Sequence, residues 1–149
     1  MIVYADASAL VKRYVTESSS NEVIGLTSTA NVVATALVSR AEVAAAFARA
    51  VRMGILDPEG GRQVQRSFAR DWPNLARVAV TEALAARAET LAWEFCLRGY
   101  DAIHLAAALT WRESIGQEIV LATFDRHLWD AGTQAGFEIW PKQLPGGRS

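Results

Sequence analysis

The chain opens with Met1-Ile2-Val3-Tyr4-Ala5-Asp6, an apolar run that ends at an acid. Four consecutive apolar residues, Ile2 to Ala5, predict a strand of a parallel sheet that is covered on both faces. Asp6 would then lie at the carboxyl edge of this sheet, where open parallel sheets bind their ligands. The opening segment therefore predicts a fold class and also the place of a functional site.

Predicted strands and helices alternate along the rest of the chain. Further strands are predicted over residues 31–35, 77–80, 118–123 and 137–140, the last at a sheet edge. Helices are predicted over residues 7–15, 22–26, 38–53, 57–72, 81–97, 101–113 and 126–135. Gly99 is expected to end the fifth of these helices, and Asp101 to begin the sixth. The alternation predicts an α/β domain with a mostly parallel sheet between helices. Residues 1–145 are expected to form this one domain, followed by a disordered tail over 146–149.

Composition narrows the class of protein. The chain has 149 residues, of which 51% are hydrophobic, enough for one domain with a substantial core. Its net charge of −1 is not the bulk signature of a nucleic-acid-binding protein, although all but two of its 15 basic residues are arginines, which suit phosphate contacts. No signal peptide or membrane-spanning run is evident, so a soluble cytoplasmic protein is expected.

Four acids border the apolar segments. Asp6 and Asp125 follow predicted strands, whereas Glu42 and Asp101 lie near the starts of predicted helices. Acids in such places are unfavourable unless a cation or hydrogen bonds compensate them. Four that converged would repel one another, and a divalent metal would relieve the repulsion. Oxygen ligands suit Mg²⁺ or Mn²⁺, which can hydrolyse phosphodiesters without a nucleophilic side chain.

Each acid also has a simpler explanation. Aspartate is a favoured N-cap, and this explanation applies to Asp6, Asp101 and Asp125. A solvated Glu42 could pair with Arg40 or Arg49 of its own helix.

Two other side chains are expected in the core. Cys96 lies in the apolar segment 91–97, which predicts a buried and inert thiol. His104 lies within the apolar segment 102–109 and is expected to be a hydrogen-bonded core histidine rather than a metal ligand.

Taken together, these segments resemble the PIN domain, and specifically the VapC-like toxin ribonucleases. The resemblance covers nearly the whole chain. It is carried by IVYADASALVK at residues 2–12, SRAEV at 39–43, GYDAIHLAAA at 99–108 and LATFDRHL at 121–128.

The resemblance implies a three-layer α/β/α sandwich with a central, mostly parallel sheet. It implies RNA cleavage that depends on Mg²⁺ or Mn²⁺, a cognate antitoxin that blocks the groove, and a homodimer. The acidic quartet implied for catalysis and metal binding is Asp6, Glu42, Asp101 and Asp125, with Ser8 and Thr123 as polar supporting residues.

Basic residues close to the quartet in sequence are candidate RNA contacts. They are Lys12, Arg13, Arg40 and Arg126, and ordinary solvated charge is the alternative for each. The chain also has five tryptophans, of which most are expected in the core and one or two at a groove for an antitoxin or at a dimer face.

Two other functions are alternatives. A haloacid-dehalogenase-like phosphatase also begins with an acid after its first strand, but it requires a second acid at the position that Ser8 holds. A PIN-fold binding module that has lost catalysis is the alternative from a different class, and the intact quartet argues against it.

Overall fold

The computed structural model describes residues 1–146 and alternates strands with helices as predicted. The strands are β1 (Ile2–Ala5), β2 (Val32–Ala36), β3 (Ala76–Val78), β4 (Val120–Ala122) and β5 (Glu138–Trp140). The helices are α1 (Ala7–Leu10), α2 (Ser20–Thr29), α3 (Ser39–Arg52), α4 (Pro58–Asp71), α5 (Glu82–Phe95), α6 (Gly99–Ile115) and α7 (Arg126–Gln134). Short 3₁₀ turns over Val11–Arg13 and Trp72–Asn74 follow α1 and α4.

The five strands form one parallel sheet in the order β3-β2-β1-β4-β5. The strand β1 is central, with Val3 opposite Val33 of β2 and Tyr4 opposite Leu121 of β4. Because β1 and β4 are parallel neighbours, the residues that follow them meet at the same edge of the sheet. The strand β5 is an edge strand, as predicted.

Helices cover both faces of the sheet, which gives the predicted α/β/α sandwich. Alternate residues of β1 point to opposite faces. Tyr4 packs into a core that contains buried residues of α5, α6 and α7. Val3 and Ala5 pack into a second core with buried residues of α1, α3 and α4. Helix α6 is buried over residues 101–109, apart from the half-buried Ile103, and the small side chains of residues 106–108 let it lie close to the sheet.

The boundary between α5 and α6 differs from the prediction. Helix α5 ends at Phe95 because Cys96 adopts the left-handed conformation (φ 53°) that was expected of a glycine. Gly99 begins α6 instead of ending α5. Asp101 therefore lies in the first turn of α6 and does not cap it, and the cap position belongs to Arg98.

Two further predictions concern the burial of Cys96 and the order of the C-terminal tail. The prediction that Cys96 is buried is wrong, because the turn after α5 exposes its thiol. Gly146 lies in a turn, and residues 147–149 of the predicted disordered tail lie outside the described residues. Within residues 1–146, no helix has both the length and the apolar character needed to cross a membrane.

Candidate active site

Asp6 lies directly after β1 and is almost fully buried, with 4% of its surface exposed. Its Oδ1 accepts hydrogen bonds from the backbone N–H of Ala9 (3.1 Å) and the Ser8 hydroxyl (2.7 Å). Its Oδ2 accepts from the Thr123 hydroxyl at 2.7 Å. Asp6 therefore caps α1, as its simpler explanation held, and at the same time faces the edge of the sheet.

The pKa of Asp6 is raised above its ordinary value because burial removes the charged carboxylate from water. The nearby His104 and the hydrogen bonds from Ser8, Thr123 and Ala9 oppose this effect without cancelling it. A cation bound beside this carboxylate would compensate its desolvated negative charge.

Ser8 and Thr123 connect the ends of the two central strands. The Ser8 hydroxyl accepts a hydrogen bond from the backbone N–H of Phe124 at 2.8 Å, besides donating to Asp6. The Thr123 hydroxyl similarly accepts from the N–H of Asp125 at 3.1 Å while it donates to Asp6. The two hydroxyls thus fix the orientation of the Asp6 carboxylate relative to the β4 edge.

Asp101 and Asp125 are bridged by one arginine. The Arg98 guanidinium donates from Nε to Asp101 Oδ2 (3.0 Å) and from Nη2 to Asp125 Oδ2 (2.7 Å). Asp125 also caps α7 by accepting from the N–H of Leu128 at 3.0 Å. Burial raises the pKa of Asp101, and the negative charge of Asp125 adds to this effect, whereas Arg98 opposes it.

Glu42 is held by the buried His104. The two side chains meet at 2.7 Å between His104 Nε2 and Glu42 Oε1, and the other ring nitrogen lies 2.8 Å from the Tyr4 hydroxyl. Burial lowers the pKa of His104, but its hydrogen bond with Glu42 and the charge of Asp6 outweigh burial and raise that pKa above its ordinary value. The imidazole is a hydrogen-bonded core residue, as predicted. The observed partner of Glu42 is this imidazole and not Arg40 or Arg49 of its own helix.

All four acids line one cavity of about 300 Å³ at the carboxyl edge of the sheet. Its other lining residues are Ser8, Arg98, Gly99, Tyr100 and His104. The structure therefore brings together one acid that follows β1, one acid from each of α3 and α6, and the acid that caps α7. The arrangement places several partly desolvated carboxylates, an arginine, an imidazole and hydroxyl donors around one opening.

Comparison with known proteins shows where this arrangement belongs. The family model of the PIN domain matches residues 3–132. The chain belongs to the PIN-domain family. Ribonuclease VapC45 of Mycobacterium tuberculosis is 33% identical to this PIN protein over 144 residues, which are 96% of this chain and 97% of the relative.

Solved structures share the PIN fold at lower identity. VapC20 of Mycobacterium tuberculosis, described as a toxin that cleaves the sarcin-ricin loop, matches with a TM-score of 0.57 and 16% identity. The match covers 91% of this chain and 95% of that one. A toxin–antitoxin complex from Klebsiella pneumoniae matches with a TM-score of 0.57 and 18% identity, over 79% of this chain and 83% of that one.

The donor chemistry of the PIN cavity fits a divalent metal. Carboxylate oxygens are the ligands that Mg²⁺ and Mn²⁺ prefer, and four carboxylates share one opening. Within residues 1–146, however, no three Asp, Glu, His or Cys side chains already surround one point. Each carboxylate is instead held by a protein donor, and an ionised carboxylate keeps further acceptor sites at which an ion can bind.

The predicted basic residues do not line the cavity. Lys12 pairs with Glu17 at 3.3 Å, and Arg13 lies 3.9 Å from Asp71 beside a separate cavity at the amino ends of β2 and β3. Arg40 and Arg126 lie over the rings of Trp72 and Trp129, respectively. A role for these residues in binding RNA stays a prediction.

The cation that does line the cavity, Arg98, was missed in the sequence. The available signal was its position three residues before Asp101, a spacing at which helical side chains of opposite charge meet. Tyr100, 62% exposed at the cavity, was also missed, because one exposed aromatic residue gives no sequence signal.

Proposed function

We propose that this PIN protein is a metal-dependent endoribonuclease and acts as the toxin of a toxin–antitoxin pair. The observation that carries the proposal is the convergence of four chain-distant carboxylates on one cavity of a PIN fold. It is supported by the relative named Ribonuclease VapC45, which covers nearly the same length of chain.

We propose Mg²⁺ or Mn²⁺ as the cofactor. Asp6, Asp101 and Glu42 would hold one ion, and Asp125 would hold a second ion or position the attacking water. A divalent ion bound here supplies a water of lowered pKa and neutralises the charge that builds on the phosphate oxygens.

Hydrogen bonds from the surrounding residues orient the carboxylates that would bind the ion. Ser8 and Thr123 each donate to a different oxygen of Asp6, so its orientation is set before any ion arrives. His104 fixes Glu42 in the same way from the core side. Such supporting hydrogen bonds hold ligands in a productive geometry and strengthen metal sites.

The direct test is incubation of the purified protein with total RNA and Mn²⁺, followed by mapping of the cut ends. We expect cleavage that EDTA abolishes and that Asp6→Ala lacks. Asp130→Ala is the matched control, since it removes an exposed carboxylate of α7 outside the cavity. Cleavage that survives EDTA, or that Asp6→Ala retains, would refute the mechanism and favour a contaminating nuclease.

Binding of the RNA backbone would use positive side chains outside the cavity lining, for which Lys12, Arg13, Arg40 and Arg126 remain candidates. Such contacts release counterions, so affinity for RNA must fall as salt concentration rises. A catalytically inactive Asp101→Asn variant allows binding to be measured without cleavage. Affinity that is flat with salt would exclude a phosphate-based interface.

The proposed partners are an RNA substrate, a cognate antitoxin and a second copy of the chain. The proposal of an antitoxin partner is supported by the fold that this chain shares with a protein of the toxin–antitoxin complex from Klebsiella pneumoniae. Trp93, 85% exposed on α5, offers apolar surface to a protein partner. A monomer mass in size-exclusion chromatography with light scattering would refute the proposal of a homodimer.

We also propose that residues 1–145 act as a single domain and that the protein works in the cytoplasm, where its RNA substrate is found.

A further inference from the structure

Arg98 holds two of the four cavity carboxylates with a single guanidinium. Its Nε and Nη2 reach Asp101 and Asp125 at 3.0 and 2.7 Å, and these acids belong to different helices. The guanidinium therefore occupies the side of the cavity where a cation shared by those two acids would lie. It supplies positive charge there without any metal.

This contact is open to solvent on the side of the arginine. The Arg98 side chain is 70% exposed, and its hydrogen bonds are to the two carboxylates alone among the described residues. Its backbone lies at the start of α6 and is not inside a helix. Water and salt screen the guanidinium, whereas the side chains of Asp101 and Asp125 are only 11% and 22% exposed. The guanidinium can therefore leave the two acids readily only when another cation takes its place.

We infer that Arg98 is an exchangeable counter-cation, which pairs with Asp101 and Asp125 in the metal-free protein and moves to the substrate phosphate when a divalent ion takes its place. The inference rests on the proposed function, because it requires a metal and a phosphodiester substrate. The bidentate donor geometry of a guanidinium suits a phosphate as well as a carboxylate. Arg98 is thus a substrate-binding residue for which carboxylate and phosphate compete.

The exchange predicts that Arg98→Ala binds Mn²⁺ more tightly and RNA more weakly than the wild type. In Arg98→Ala the carboxylates have no internal competitor, so Mn²⁺ should bind about three- to fivefold more tightly in the absence of RNA. The same variant lacks a phosphate contact, so KM for an RNA substrate should rise. A residue with a merely structural role would weaken metal binding and RNA binding together.

Isothermal titration with Mn²⁺ alone, without RNA, gives the first measurement, and KM with an RNA oligonucleotide at saturating Mn²⁺ gives the second. Arg98→Lys should bind Mn²⁺ with intermediate affinity, because it keeps the charge but cannot bridge two acids with one planar group. Arg126→Ala is the control for metal affinity, since it removes a nearby charge that does not line the cavity.

Tighter Mn²⁺ binding in Arg98→Ala than in Arg126→Ala, together with a raised KM, would support the exchange. Unchanged or weaker Mn²⁺ binding in Arg98→Ala, in a protein whose wild type cleaves RNA, overturns the exchange and leaves the proposed function intact. A wild type that neither binds Mn²⁺ nor cleaves RNA overturns both. Circular dichroism of each variant separates these outcomes from misfolding.

Discussion

Asp101 carries a charge that the fold only partly compensates. Burial raises the pKa of its carboxyl, and Asp125 adds repulsion, whereas the opposing Arg98 is exposed to solvent. Because this pKa is raised, the carboxyl favours folding below its unfolded value of 3.8, and that contribution is lost as pH rises through the folded value. At neutral pH the ionised carboxylate of Asp101 therefore destabilises the folded protein, and a cation in the cavity would reduce this destabilisation.

Asp101→Asn should for this reason separate activity from stability. We expect RNA cleavage to fall at least about 100-fold, because a charged ligand is lost from the site. The free energy of unfolding of the metal-free protein at neutral pH should stay the same or rise, because the amide carries no charge to desolvate. Cleavage assays with Mn²⁺ and urea denaturation in EDTA measure the two effects. Full activity, or a large loss of stability, would contradict this account of Asp101.

The sequence predicted the candidate acids better than it predicted their partners. Acids that follow buried strands or begin buried helices are visible in the order of residues, and the resemblance selected the same four. The partner of Glu42, in contrast, is His104, which is 62 residues away in the chain. Only local partners on the same helix could be weighed for Glu42, and a contact between α3 and α6 depends on how the helices pack across the sheet.

At the scale of elements, helix ends were the least predictable feature. Gly99 was expected to end α5 because glycine commonly follows helices. Cys96 takes the left-handed conformation instead, which any residue except glycine adopts at some cost. Nothing in the order of residues marks this exception, and α6 begins two residues before its predicted start.

Packing of α7 on the sheet depends on the absence of a side chain at Gly132. A Cβ there would lie 2.6 Å from Leu121 Cδ2 and 2.8 Å from Ile139 Cδ1, both buried. We expect Gly132→Ala to lower the free energy of unfolding by about 1–2 kcal/mol, since crowding exceeds the gain in helix propensity.

Gly25→Ala, in the exposed part of α2, is the matched control. A Cβ there meets nothing within 4 Å, so this variant should gain about 0.5–1 kcal/mol from helix propensity. Urea denaturation of both variants gives the comparison. Equal changes of the same sign would show that α7 does not pack closely on β4 and β5.

Helices α5 and α6 are joined by an ion pair whose effect depends on pH. Arg87 donates to both oxygens of Glu113, at 2.6 and 2.7 Å, and its hydrogen bond lowers the pKa of Glu113. A lowered pKa means that the stabilisation is present above the unfolded value of 4.5 and is lost as pH falls below it.

Glu113→Gln should therefore cost about 0.5–1 kcal/mol at neutral pH, a small amount because both side chains are partly exposed. The cost should disappear in acid, where the wild-type carboxyl is protonated as well. Urea denaturation of the two proteins at neutral and acidic pH measures this difference. A cost that is the same at both pH values would assign the effect to packing rather than to charge.

At the scale of the whole molecule, the strand order creates the candidate site. The neighbours β1 and β4 are far apart in sequence, and the hydrogen bond between Asp6 and Thr123 spans 117 residues. The alternation of strands and helices predicted a parallel sheet. Because parallel sheets bind ligands at their carboxyl edge, this prediction also placed the candidate site there. The order of the strands did not follow, because it depends on how the helical connections cross between non-consecutive strands.

The central claim is that distant carboxylates of one PIN fold hold a divalent cation used to cleave RNA. The most direct test is a crystal structure of the protein grown with Mn²⁺, with data collected at the manganese absorption edge. We predict an anomalous peak in the cavity, within coordination distance of Asp6 and Asp101. Crystals of active protein at saturating Mn²⁺ with no anomalous peak in the cavity would contradict the claim.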